Sequence, residues 1–188
     1  MHLATTDAAN ALLEQDPLAL LIGMLLDQQI PMEKAFTSPE VLRERLGVDR
    51  LDARALAAHD PEKLEEIFRT PPALHRFPAA FAKRVQALAQ LLVDEFDGSA
   101  ENVWNGASDG KDLVARIGTL PGFGEQKAKI FAALLGKQFG VRPTGWREAA
   151  GDYGKDGHRS IADVVDDDSR KAVRSYKQQM KAAAKAKA

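Results

Sequence analysis

Cysteine is absent from all 188 residues, which excludes a disulfide framework, a thiolate zinc site, a cysteine nucleophile and a cysteine-ligated iron–sulfur cluster. Aromatic residues are few, with eight Phe, two Trp and two Tyr, so the core falls to Leu, Ala, Val and Ile. No uninterrupted apolar run approaches membrane-spanning length, and no basic segment leads into an apolar stretch after Met1. The chain is therefore expected to be cytoplasmic, with no membrane partner. His2, His59, His75 and His158 lack the i, i+3 or i, i+4 spacing of a helical metal site, so no metal ligand is assigned. What remains is an ordinary globular composition, 45% hydrophobic and 28% charged, at a length suited to one domain or two small lobes.

The net charge of −1 conceals a strong division along the chain. Residues 1–70 carry seven Lys and Arg against thirteen Asp and Glu. Residues 111–147 reverse the sign, with seven bases against Asp112 and Glu125. From Arg170 onward Lys171, Arg174, Lys177, Lys181, Lys185 and Lys187 follow without a carboxylate, after the acidic run Asp166-Asp167-Asp168. Two basic blocks suit a polyanion. The tail equally suits a solvated helix whose acids and bases are ordered by the helix dipole.

Helical periodicity dominates, and the fold class is all-α. Asp16-Pro17 supplies a cap followed by proline at the first helical position, opening the apolar segment that continues through Leu26. Ser38-Pro39-Glu40 is expected to start another helix through Leu46, and Asp60-Pro61-Glu62 one through Phe68. Phe81, Val85, Leu88 and Leu92 recur at helical spacing between residues 77 and 96. Helices are also predicted over 112–120 and 125–139, separated only by Pro121-Gly122-Phe123-Gly124.

That separator carries the strongest signal. Pro121 cannot continue a helix, while Gly122 and Gly124 tolerate positive φ, so the chain can reverse tightly. A tight turn feeding a helix N-terminus aims backbone N–H groups and the positive end of the dipole outward, which suits a phosphate oxygen. The same residues also suit a plain αα-hairpin without a ligand. Gln28 and Gln29 follow the apolar helix; their amides can bond its terminal carbonyls or meet a base edge.

The string Leu120-Pro121-Gly122-Phe123-Gly124-Glu125-Gln126-Lys127-Ala128 resembles the helix-hairpin-helix motif of the HhH-GPD DNA glycosylase superfamily. Upstream, Leu25-Leu26-Asp27-Gln28-Gln29-Ile30-Pro31-Met32-Glu33-Lys34-Ala35 resembles the Gln-Gln or Gln-Ala segment of endonuclease III and 3-methyladenine glycosylase relatives. The resemblance spans residues 16–146 and implies a two-lobed all-α fold that binds double-stranded DNA for base excision repair. It divides the chain into a helical domain over 1–165, with the hairpin at 112–139, and a basic C-terminal helix or tail over 166–188.

The resemblance also implies roles. Gly122, Phe123, Gly124, Gln126 and Lys127 would hold a DNA phosphate, Gln28 and Gln29 would probe the lesion, and Trp146 and Tyr153 would contact the extruded base. Bifunctional relatives place a lysine nucleophile at the position of Gln126, and an amide cannot form a Schiff base, so a monofunctional glycosylase without lyase activity is expected. The family aspartate falls within Thr144-Gly145-Trp146, where no carboxylate stands; Glu148 and then Asp152 are the nearest candidates for catalysis. No cofactor is expected, although the hairpin carbonyls leave room for a monovalent cation. The protein is expected to act as a monomer. Two other functions stay open: a non-catalytic hairpin module that recognises distorted DNA or recruits a repair partner, and a helical interaction protein without nucleic acid.

Overall fold

Asp16 and Pro17 open a helix as their chemistry dictates. In the computed structural model, which describes residues 1–188, the Asp16 carboxylate accepts the N–H groups of Leu18 and Ala19 at 2.9 and 3.2 Å. The whole chain follows in helices, with no strand: α1 (Asp7–Gln15), α2 (Pro17–Leu26), α3 (Met32–Leu46), α4 (Ala53–Ala58), α5 (Pro61–Arg69), α6 (Pro78–Phe96), α7 (Asn102–Asn105), α8 (Gly110–Gly118), α9 (Glu125–Gln138), α10 (Trp146–Ala149) and α11 (Asp167–Ala186). Two 3-10 turns, Gly151–Gly154 and Ile161–Asp163, lie between α10 and α11. No helix is long and apolar enough to cross a membrane.

One expected boundary is corrected. The helix predicted to begin at Ser38-Pro39-Glu40 begins at Met32, and Pro39 lies inside it. Pro39 lacks the N–H that would reach back one turn, but both Ser38 and Pro39 are buried, and the Ser38 hydroxyl lies 2.8 Å from the carbonyls of both Lys34 and Leu74. Tertiary burial thus carries the helix through a residue that usually marks its start.

The chain divides into two compact units, one of Leu3–Gly106 with Thr119–Phe123, the other of Met1–His2, Ala107–Gly118 and Gly124–Ala188. In the first, every residue of α2 after Pro17 is buried, as its uniformly apolar sequence requires. Gly23 lets α3 come close, since a Cβ there would stand 2.6 Å from Phe36 Cδ1. Arg45 donates to the carbonyls of Ile67, Thr70 and Pro72 at 2.7, 2.9 and 2.9 Å, so one guanidinium caps the end of α5.

The second unit has less regular structure to bury. Between α9 and α11 the chain has only short helical turns, and they hang from the last turns of α9. A Cβ on Gly136 would meet the Trp146 ring at 2.3 Å, so the indole lies directly on the α9 backbone. Lys137 pairs with Asp163 at 2.6 Å, with side chains only 12% and 7% exposed, and also donates to the Lys155 carbonyl at 2.6 Å. Asp163 in turn accepts the N–H groups of Arg159 and Ser160 at 2.8 and 3.2 Å. Gln138 completes the attachment by donating to the carbonyls of Ala162 and Val164.

Two stability outcomes are expected. Lys137→Ala leaves Asp163 buried without its counter-charge and should cost about 3–5 kcal/mol, read as a fall in Tm of roughly 10 °C by differential scanning calorimetry. Gly136→Ala drives a methyl into the Trp146 ring and should cost about 1–3 kcal/mol in the same assay. An unchanged Tm in either variant would show that the segment is held some other way.

Candidate nucleic-acid interface

The turn between α8 and α9 is anchored by its apolar residues and exposed at its glycines. Leu120 and Phe123 are buried, and the Phe123 N–H donates to Leu120 O at 3.1 Å. Gly122 takes φ +81°, and a Cβ there would stand 2.5 Å from Leu25 Cδ1, so both backbone conformation and close packing require glycine. Gly124 then caps a 14-residue helix and, having no side chain, brings no cap hydrogen bond of its own to the first turn of α9. Glu125 does not occupy that space: its carboxylate pairs with Lys129 at 2.9 Å, and the ammonium holds its pKa below the usual carboxylate range. Of the residues assigned to phosphate, Gly122, Gly124 and Gln126 are exposed and Lys127 is half-buried. Phe123 is a core anchor whose N–H is engaged within the turn.

The Gln28-Gln29 segment is mounted by residues that local sequence patterns do not single out. His75 is 1% exposed and stacks on Phe81 with ring centroids 3.5 Å apart. Its Nδ1 accepts the Phe77 N–H at 3.0 Å, which leaves Nε2–H to donate to the Gln28 carbonyl at 2.9 Å. Arg84, with its guanidinium carbon 4.6 Å from the Phe81 ring centroid, donates to Gln28 Oε1 at 3.2 Å. Gln28 is therefore held at both main chain and side chain. Gln29 is exposed, its amide makes no hydrogen bond, and its φ of +60° is a conformation that costs a non-glycine residue about 1–2 kcal/mol.

Glu148 and Asp152 both line an open groove of about 780 Å³, together with Lys129, Arg147, Lys155 and Asp156. Their environments differ. Asp152 pairs with Lys155 at 2.6 Å, and that ammonium holds its carboxyl below the usual range. Glu148 is exposed and makes neither an ion pair nor a side-chain hydrogen bond. The adjacent Arg147 is turned elsewhere, donating to Gly154 O at 2.7 Å and standing 4.7 Å over the Trp146 ring. Trp146 is only 9% exposed and covers Gly136, so it serves as a lid on α9. Tyr153 is the more open of the two aromatics, and its hydroxyl accepts from Gln126 Nε2 at 2.8 Å.

The structure thus joins Gln126 to Tyr153 and places both candidate carboxylates on one groove. His75, Phe81 and Arg84 are the additional residues that shape the Gln29 surface. Only the Arg84-to-Phe81 spacing on α6 left a trace in the sequence, as an i, i+3 neighbour pair. No group of three or more His, Asp or Glu side chains is arranged to hold a metal ion.

Comparison with known proteins adds one finding. The family model described as HhH-GPD superfamily base excision DNA repair protein matches residues 22–188, from within α2 through the end of α11. No curated protein and no solved structure matches the chain. The match takes in both the Gln28-Gln29 segment and the hairpin, the all-α architecture is that of the family, and repair proteins of this family bind DNA. The chain belongs to the HhH-GPD superfamily of base excision DNA repair proteins.

Proposed function

We propose that the protein is a monofunctional DNA N-glycosylase that extrudes a damaged base from duplex DNA and hydrolyses its N-glycosidic bond. The observation that carries this reading is Glu148, an exposed carboxylate without an ionic partner on the wall of a groove of about 780 Å³. As the glycosidic bond breaks, positive charge builds on the sugar, and a carboxylate nearby stabilises that charge or takes a proton from the attacking water. Asp152 is less suited, because Lys155 already neutralises it. No Schiff base is routed through the hairpin, where an amide, Gln126, stands and is bonded to Tyr153.

The remaining roles follow from exposure and from which exposed groups are already hydrogen-bonded. The α9 N-terminus and the glycines before it take a phosphate oxygen, fixing register without reading sequence. Gln29 enters the duplex at the extruded nucleotide, while Gln28, fixed by His75 and Arg84, serves as its mount. This separates two adjacent glutamines that the sequence treats alike.

Single-turnover incubation with duplexes carrying uracil, hypoxanthine, alkylpurine or oxidised guanine should give strand cleavage only after alkali, and Glu148→Gln should slow it at least about 100-fold with DNA binding retained. Cleavage without alkali would refute the monofunctional assignment. Binding without product on any duplex would instead favour a non-catalytic module, which the missing carboxylate at Thr144-Gly145-Trp146 would then explain.

Gln29→Gly tests the probe. It relieves the left-handed strain, so Tm should hold or rise, yet the single-turnover rate should fall about 10-fold or more, equivalent to ~1.4 kcal/mol of lost stabilisation. A parallel fall in Tm and rate would make Gln29 a structural residue.

A further inference from the structure

Several helices of this protein pair a base with an acid one turn away. Arg43 meets Glu40, Arg69 meets Glu65, Arg116 meets Asp112 and Lys129 meets Glu125, each on its own helix. Helix α11 does so at its root, where Arg170 stands 3.7 Å from Asp167, but its later turns hold no acid to pair with. From Arg170 to its end it contains no carboxylate, and Lys177, Lys181 and Lys185 make no ion pair.

The spacing of these bases is one-sided. At 100° per residue, Arg170, Arg174, Lys177, Lys181 and Lys185 fall within about 80° of arc along roughly 22 Å of helix. Ser169 and Val173 are buried beside this ridge, and every residue from Lys177 onward is exposed. The root of the helix is fixed. Asp166 and Ser169 form a capping box, His2 meets Asp167 at 2.8 Å, and Arg170 donates to His2 O at 2.7 Å.

The helix dipole does not account for this arrangement. It favours cations only over the last turn, where Lys185 stands, and like charges four residues apart destabilise a helix by about 0.2–0.5 kcal/mol per pair. The row of Lys177, Lys181 and Lys185 is locally unfavourable unless an anion from outside meets it. We propose that the α11 ridge is a nucleic-acid backbone contact, in which Lys177, Lys181 and Lys185 neutralise successive phosphates of the DNA. Lysines four residues apart advance about 6 Å, so Lys177, Lys181 and Lys185 each face a different phosphate of a strand running alongside the helix. This contact carries no base information; it supplies affinity that salt competes away. It rests on the DNA-binding reading and adds to it a surface separate from the hairpin.

The test is fluorescence anisotropy of the full chain on an undamaged duplex between about 50 and 200 mM salt, comparing wild type with the Lys177→Gln, Lys181→Gln, Lys185→Gln triple variant and with the matching triple Arg variant. The Gln variant should lower the magnitude of the slope of log K against log salt by about 3, with helix content by circular dichroism unchanged, and the Arg variant should keep the wild-type slope. An unchanged slope in the Gln variant, with binding intact, would overturn the ridge contact alone. Absence of binding by the wild-type chain would overturn the DNA reading and the ridge with it. A Gln variant that loses helix content while the Arg variant binds more weakly than wild type would assign the lysines a structural role and also overturn the proposal.

Discussion

The buried pair of Lys137 and Asp163 is the interaction on which the second unit depends. Residues 143–164 form only short helical turns, too short to be stable alone. They hold their shape because one ammonium from α9 meets both the Asp163 carboxylate and the Lys155 carbonyl, and because Asp163 gathers the N–H groups of Arg159 and Ser160. Desolvating the two charges is costly, and the extra hydrogen bonds are what make the pair tolerable in a buried place. The consequence is geometric: with both ends of the segment tied to α9, the groove bearing Glu148 and Asp152 has defined walls.

Three locally unfavourable features lie on the surfaces proposed for DNA. Gln29 keeps a left-handed backbone, α9 begins without a side-chain cap, and α11 carries a one-sided row of lysines. Elsewhere Asp16, Asp52 and Asp60 cap their helices and Arg69 and Arg116 pair with acids one turn away, although Asp97 also takes a left-handed φ of +54° and α3 and α6 also begin without a side-chain cap.

The two candidate carboxylates show how environment separates identical chemistry. Asp152 and Glu148 line one groove, yet Lys155 neutralises the first, and Arg147, which could have neutralised the second, is drawn away by Gly154 O and the Trp146 ring. The availability of Glu148 is thus a result of where its neighbour's guanidinium goes, an outcome decided several residues along the chain.

The sequence by itself determined the all-α class, the Asp16-Pro17 start, the αα-hairpin at Pro121 to Gly124, the exclusion of cysteine chemistry and the basic blocks, because caps, breakers, helical periodicity and charge act within a few residues of where they are written. Only the tertiary structure decided that the helix runs through Pro39, that Trp146 covers Gly136, that His75 and Arg84 hold Gln28 while Gln29 stands out, and that Glu148 is unpaired. Those outcomes depend on partners such as Leu74 for Ser38, 36 residues away, or Gln28 for His75, 47 residues away. Only folding brings such pairs within reach, so no local pattern of caps, periodicity or charge can specify them.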